Sequence, residues 1–557
     1  MTDFAELART LDDISRVSGR NAKIDLVASF LKQVEPEDLK AATRFLGGAV
    51  FSEKDPKVLN VSWGGVKQSL KQVVDFDDAE FSRLYEGDTG EAVAALLETE
   101  GLVRQAGLFS SSLTVSSVEK CFNDIADAEG SGSRKQKESL LSQMLREAST
   151  REARYIVALV LNDMRIGLSK GLLAEGVAKA FGVNPDLVRR AWSLSGDLGQ
   201  VAHLAATKGR MALETLRPTV FNPVKPMLAT PADSIAELLR DSEYEYSFEL
   251  KFDGARAQIH KEGKHVRIYS RRMQDVTEGL PDIVVIAERK VRAKEAILDC
   301  EVVAVDGEGR PFPFQTVMRR FGRRRDVETA KKEVTLKLYI FDVLLADGES
   351  LIDSPYAERR KRLYNVADSD LIAENLVTSD LTTASELFDS SRELGHEGLM
   401  AKRVDSPYVP GVRGKNWFKI KHTLDTMDLV IVAAEWGHGR RSGVLSNVHL
   451  AVRNEDTGSL AMIGKTFKGL TDSELEEMTS RLQAIKTGEK GRVVTVKPEI
   501  VVEVLASEIQ KSPTYESGMA LRFARIVNTR YDKGPEDATT LGELKCIYDK
   551  QFKFKAR

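Results

Sequence analysis

The sequence predicts a three-domain chain. An all-α region covers residues 1–215, an α+β region on antiparallel sheet covers 216–425, and a small β-barrel with a C-terminal tail covers 426–557. Three observations carry that expectation. The chain has 557 residues, room for three or four domains at about 150 residues each. Up to residue 215 apolar residues recur at three- and four-residue spacing, whereas beyond it they alternate or run in short blocks. Between the two textures stand Pro218, Pro223, Pro226 and Pro231, and proline interrupts helices and strands alike.

In the first region Ile24, Val27, Ala28, Phe30 and Leu31 trace one helix face. Asn184-Pro185-Asp186 reads as a helix start, with a capping side chain, a proline at the first position and an acid in the first turn. In the second region Tyr246–Leu250, Ala257–His260, Val266–Tyr269, Ala296–Leu298, Val302–Val305 and Leu336–Val343 read as strands, and Glu386–Leu394 as a helix. In the third, Leu429–Ala434, Val448–Val452, Val493–Val496 and Ile500–Val504 read as strands, with a helix near Asp472–Ile485. About five short strands in a region of that length suit a barrel of the OB type.

Composition narrows the function classes. Hydrophobic residues make up 42% and charged residues 30%, a globular balance that excludes a largely disordered chain. There is no run of about 18 apolar residues, and Met1–Glu6 lacks the basic and apolar blocks of a signal peptide. Cys121, Cys300 and Cys546 are too few for a four-thiolate zinc site or a disulfide framework, so a reducing cytosolic compartment is expected. The seven histidines show no metal-ligand spacing. Net charge is -3, from 81 Lys+Arg against 84 Asp+Glu, so a polyanionic partner would need locally segregated cations.

The strongest local signal is Glu249-Leu250-Lys251-Phe252-Asp253-Gly254-Ala255-Arg256. Taken alone it also suits a polar hairpin with Asp-Gly at its corner. K-x-D-G-x-R should arise by chance in roughly one in a hundred chains of this size. Its chemical reading is a lysine nucleophile at a strand end with an arginine beside it. A free lysine is neutral in roughly one molecule in a thousand at neutral pH, so the site needs neighbouring cations and partial desolvation. Lys419 and Lys421 supply such cations, and at a spacing of two they share one face of a strand. Together they would stabilise charge building on a phosphorus.

The order of the motifs resembles that of ATP-dependent DNA ligases, most closely the archaeal replicative type, over nearly the whole chain. The resemblance implies a helical DNA-binding domain, an adenylation domain of the nucleotidyltransferase superfamily and an OB domain. It implies that Lys251 is the adenylated lysine. Ser270-Arg271-Arg272 resembles the next motif, with Arg271 on the nucleotide or a DNA phosphate. Leu298-Asp299-Cys300-Glu301-Val302 resembles the third, with Glu301 as a ribose or metal contact. Tyr339-Ile340-Phe341-Asp342 implies that Phe341 stacks on adenine, and Glu249 and Arg256 match further nucleotide positions. Glu397-Gly398-Leu399-Met400-Ala401-Lys402 makes Glu397 a magnesium carboxylate alongside Glu301. Trp417-Phe418-Lys419-Ile420-Lys421 sets Lys419 and Lys421 on the α-phosphate, and Arg413 matches another nucleotide contact. Leu521-Arg522-Phe523-Ala524-Arg525-Ile526, followed by Asp532-Lys533, resembles the segment that closes over ATP. Arg522 and Arg525 would orient the leaving pyrophosphate. Alanine at 524 replaces the commoner proline and its fixed φ.

ATP and magnesium are therefore the implied cofactors, nicked duplex DNA the implied partner, and replication, repair and recombination the implied setting. Ser133, Arg134 and Lys137, and Arg165 with Lys170, stand at helix starts suited to backbone phosphates. Arg319 and Arg320 open a run with five arginines in seven residues, and Trp436–Gly443 reads as another DNA-facing loop. Gln105, Leu108 and Phe109 weakly resemble a sliding-clamp peptide. A monomer without membrane attachment, cytoplasmic and associated with the nucleoid, completes the expectation. RNA ligases and capping guanylyltransferases are the nearest enzymatic rivals, disfavoured by the long helical region. NAD-dependent ligation is disfavoured by the missing cysteines, and a non-catalytic DNA-binding scaffold by the intact lysine.

Overall fold

The computed structural model describes residues 1–85, 87–99, 113–240, 242–321, 327–422, 424, 426–438, 441–551 and 555. Gln105, Leu108, Phe109, Arg323–Arg325 and part of the loop Trp436–Gly443 lie outside the described residues. Among the described residues, 4–214 hold helices and no strand, from Phe4–Arg16 to Leu198–Glu214, around one apolar cluster reaching from Phe4 to Leu213. The start at Asn184 is built as its sequence dictates. The Asn184 side chain accepts from the Asp186 N–H at 2.7 Å, Pro185 opens the helix, and Gly196 closes it at φ 67°.

The central region holds two five-stranded sheets. In the first the order is Leu228–Pro231, Arg413–Lys421, Gly398–Arg403, Tyr246–Leu250, Asn375–Thr378. In the second it is His265–Ser270, Ala255–Glu262, Glu295–Val305, Thr335–Ala346, Glu349–Ser350. Each sheet buries one face under helices. Phe248, Leu399, Ala401 and Ile420 meet Ile235 and Ala384, while Ile259, Leu298, Val302 and Ile340 meet Ile283 and Leu363. The remaining faces look toward each other across Phe252, Val303, Phe341, Tyr408 and Trp417. This is the α+β architecture expected from the sequence, with two corrections. Ala296–Leu298 and Val302–Val305 are one strand, because Asp299 and Glu301 between them face the opposing sheet while Cys300 stays in the core under the helices. The end of the proline-rich stretch is itself a strand, tolerated because Leu228–Pro231 lies at the sheet edge and pairs in parallel with Arg413–Lys421 alone.

The third region is β-rich around its own cluster, from Met427 to Leu544. Seven strands form one sheet, in which Met427–Trp436 pairs with Leu445–Arg453, Val493–Val496 and Val501–Leu505. A hairpin, Glu508–Lys511 with Met519–Arg522, and a C-terminal helix, Leu541–Gln551, add to the expected set. Short polar strands such as Lys486–Lys490 carry no apolar alternation, so the pattern did not announce them. Among the described residues no helix is long and apolar enough to cross a membrane.

Candidate active site

Strand parity assembles the site. Residues directly opposite in a ladder point to the same side of the sheet. Trp417 faces Lys402, Lys419 faces Met400, Lys421 faces Gly398, and Met400 in turn faces Glu249. Glu249, Met400, Lys402, Trp417, Lys419 and Lys421 therefore share the face that looks at the second sheet. From that sheet Arg256 and Glu301, cross-strand partners, project back. Glu301 pairs with Tyr339 and Cys300 with Ile340, but Asp299 pairs with Asp342, so Phe341 is a bulge residue. The bulge turns Phe341 toward the cleft, where its ring meets Trp417 edge-on at 6.2 Å.

Lys251 extends its strand by one residue. Its N–H donates to the Gly398 carbonyl at 2.8 Å, and the Glu397 N–H donates to the Lys251 carbonyl at 2.9 Å. That ladder sets the two side chains together. Lys251 Nζ lies 2.5 Å from Glu397 Oε2, and Lys421 Nζ lies 2.6 Å from the same oxygen. The Lys251 side chain is 19% exposed, so the amine sits in the cleft and not in bulk water. Burial opposes charge on Glu397, but Lys251 and Lys421 overcome it and hold the carboxyl at about 2. The turn needs glycine at 398. Its φ is 137°, and a Cβ there would strike the Ile420 carbonyl.

The cleft is electropositive beyond this pair. Burial first, then Lys421, Lys251, Arg413 and Arg271, push the Lys419 pKa down. Glu301 accepts no hydrogen bond among the described residues. Burial raises its carboxyl to about 8, against the pull of Lys251 and Arg256. Arg256 donates to Asp299 from Nε at 2.9 Å and from Nη2 at 2.6 Å, and to the Met227 carbonyl at 2.7 Å. Tyr408 holds the same Asp299 at 2.7 Å. Arg256 thus lines the site with its charge already matched, at 5.6 Å from the Phe341 ring centre.

Sequence reasoning passed over two residues here. Lys402 Nζ lies 2.6 Å from Glu249 Oε2, and the Tyr356 hydroxyl donates to Glu249 Oε1. Lys402 stood inside a quoted motif without a role, and Tyr356 carried no signal of its own. Asp253, an acid of the lysine motif, is paired with Lys555.

The third region closes one side. Arg522 pairs with Glu508 at 3.0 Å and stands 5.3 Å from the Phe314 ring centre of the central region, while Arg525 is exposed. A cleft of about 130 Å³ between them is lined by Asp253, His396, Glu397, Lys421 and Arg522.

The candidate DNA residues divide. Ser133 and Arg134 open the helix Ser133–Glu147 after Gly132 at φ 91°, with no side chain capping it. Arg134 is exposed and pairs with Glu138 at 2.8 Å, while Lys137 donates to the Leu59 carbonyl at 2.8 Å. Arg165 is exposed beside Asp163. Lys170 lies 2.5 Å from Glu53, which Lys225 also meets at 2.7 Å. Arg319 is exposed. Arg320 is a correction. It is fully buried, donates to Asp282 at 2.6 Å and to the Val334 carbonyl at 2.9 Å, and offers nothing to a phosphate.

The residues present fit a divalent cation. Among the described residues no three His, Cys, Asp or Glu side chains converge. Glu301 and Glu397, however, offer two hard oxygen donors close enough for Glu397 to raise Glu301, and phosphate oxygens and water would complete a magnesium shell.

Three family models match the chain: the DNA ligase N terminus over residues 3–175, the ATP dependent DNA ligase domain over 226–421, and the ATP dependent DNA ligase C terminal region over 441–533. A DNA ligase of Thermococcus fumicolans is 41% identical over 562 residues, covering 100% of both chains. A DNA ligase of Methanothrix thermoacetophila is 42% identical, covering 98% of both. The solved structure named Pmar-Lig_PreS3 shares the fold, with a TM-score of 0.58 at 18% identity over 94% of this chain and 99% of that one.

Proposed function

Because the chain belongs to the ATP-dependent DNA ligase family, which seals nicks in duplex DNA with ATP and a divalent metal, we propose that Lys251 is its covalent nucleophile. The observation that carries this reading is the convergence on one cleft of Lys251, Glu397 and Lys421 within 2.6 Å contacts. The neutral Nζ of Lys251 attacks the α-phosphorus of ATP. A P–N bond forms, the bond to pyrophosphate breaks, and the amine sheds its proton. The 5′-phosphate at a nick then attacks the same phosphorus, the P–N bond breaks as its nitrogen takes up a proton and leaves as the Lys251 amine, and AMP passes to DNA. Finally the 3′-hydroxyl attacks the 5′-phosphorus, loses its proton and expels AMP.

The surrounding groups divide the work. Lys419 and Lys421 hold the α-phosphate as negative charge grows on it, with Arg271 and Arg413 extending the field. Glu249 and Phe341 take the base by edge and face, and Arg256 lines the nucleotide site. Glu301 and Glu397 would hold magnesium, whose charge would offset that of the phosphates and of the Glu397 carboxylate beside Lys251. Arg522 and Arg525 orient pyrophosphate in the first step, after which the third domain must swing aside to admit DNA. The helical domain grips backbone phosphates through Arg134, Arg165 and their neighbours, without sequence readout. Domain limits at 215/216 and 425/426, a monomeric state, a cytoplasmic, nucleoid-associated location, and a sliding-clamp contact through Gln105, Leu108 and Phe109 belong to the same proposal.

Mass spectrometry of protein incubated with ATP tests the core of it. An AMP increment on the Lys251 peptide, absent in Lys251→Ala, is expected. An increment elsewhere overturns the assignment. Nicked DNA should be sealed in preference to nicked RNA.

A further inference from the structure

Glu249 is 2% exposed, and each of its carboxylate oxygens already has a partner. The Tyr356 hydroxyl donates to Oε1 and Lys402 Nζ meets Oε2 at 2.6 Å. Both partners are themselves fixed. Lys402 is 1% exposed, its ammonium 4.5 Å from the ring centres of Phe341 and Trp417 and 5.0 Å from that of Tyr356. The Tyr356 N–H donates to the Ser406 carbonyl at 2.9 Å, and Arg359 lies 5.4 Å from its ring centre. An ammonium caged by aromatic rings and a buried carboxylate is costly to build unless the carboxylate has one set orientation and one set charge.

We infer that Tyr356 and Lys402 are the positioning residues that set the base specificity of the reaction, by locking Glu249 as an acceptor aimed at an exocyclic amine. The inference rests on the proposed role of Glu249 at the adenine edge. With donors fixed on both oxygens, the remaining lone pairs of Glu249 can only accept. The 6-amino group of adenine offers a hydrogen there. The 6-oxo group of guanine offers a lone pair, which faces the carboxylate and leaves both desolvated and unpaired. A site built on a buried polar group rejects the analogue that lacks its partner far more strongly than an apolar pocket does.

The experiment measures lysine adenylation (or its analogue) of the full chain with ATP, GTP and purine riboside 5′-triphosphate, which carries hydrogen in place of the 6-amino group. Tyr356→Phe should cut the advantage of ATP over purine riboside triphosphate by about tenfold, and Lys402→Met by tenfold to a hundredfold, as for hydrogen bonds to a charged group. The rate with purine riboside triphosphate should stay within about twofold, which general damage would not allow. An equal loss with every nucleotide overturns the inference. Glu249→Gln separates the two layers. If wild type shows no preference for ATP, or Glu249→Gln keeps it, the role given to Glu249 fails. If Glu249→Gln erases the preference while Tyr356→Phe retains it, the inference about its partners fails alone. Tyr356→Phe removes one oxygen only, so it carries the test should Lys402→Met misfold.

Discussion

Replacing Glu301 with glutamine should stabilise the metal-free protein. In the fold this carboxyl is raised by burial to about 8 from an ordinary value of 4.5. Between those values the folded chain holds a proton that the unfolded chain has released, so stability falls as pH rises through this window. At pH 7 the unfolded carboxyl is 2.5 units above its pKa while the folded one is still mostly protonated. At about 1.4 kcal/mol per unit, the burden on the native state is ~3 kcal/mol. Below pH 4.5 both states are protonated and the burden vanishes; above about 8 it is complete. Glu301→Gln removes the titration while keeping the shape. The assay is thermal and urea unfolding of both proteins from pH 5 to 8, with and without magnesium. The variant should gain on wild type steadily as pH rises. Magnesium should stabilise wild type and do less for the variant. Superimposable pH profiles without metal would refute the placement of an uncompensated carboxyl in this cleft. The variant should also lose metal-dependent adenylation, though that loss alone would not separate charge from geometry.

Three further outcomes follow from the same geometry. On the proposed role of Arg522 beside pyrophosphate, Arg522→Ala should slow self-adenylation by about a hundredfold yet leave sealing of a pre-adenylated nick intact. Stopped-flow or quench assays on the two substrates check this, and equal losses would remove Arg522 from the first step. Gly398→Ala should cost about 2–4 kcal/mol in thermal unfolding, because a left-handed φ and a blocked Cβ combine there. Arg320→Leu should cost about 3–5 kcal/mol by stranding Asp282, with the salt dependence of DNA binding unchanged, whereas Arg134→Ala and Arg165→Ala should each lower that slope by about one.

Arg320 also marks where reading a sequence fails. Five arginines in seven residues look like one electropositive surface, but a helical turn sends neighbours in opposite directions, and Arg320 goes inward to Asp282 while Arg319 stays out. The helices were legible because their apolar spacing and caps are local, as at Asn184. Lys419 and Lys421 were legible as one face because strand parity is local too. What brings Lys251 to Glu397 is a ladder between segments some 146 positions apart, and motif order alone suggested it. The partners of Glu249 had no such help. Tyr356 lies 107 positions away on a helix whose exposed and buried faces look ordinary, and Lys402 sits among apolar strand residues. A buried ion pair leaves no periodic trace, since one charged residue in an apolar stretch looks the same whether it snorkels to water or meets a partner. The residues that hold a functional carboxylate in place are therefore the part of a site most hidden in sequence. In this fold they are also the part whose removal should change what the enzyme accepts before it changes whether the enzyme folds.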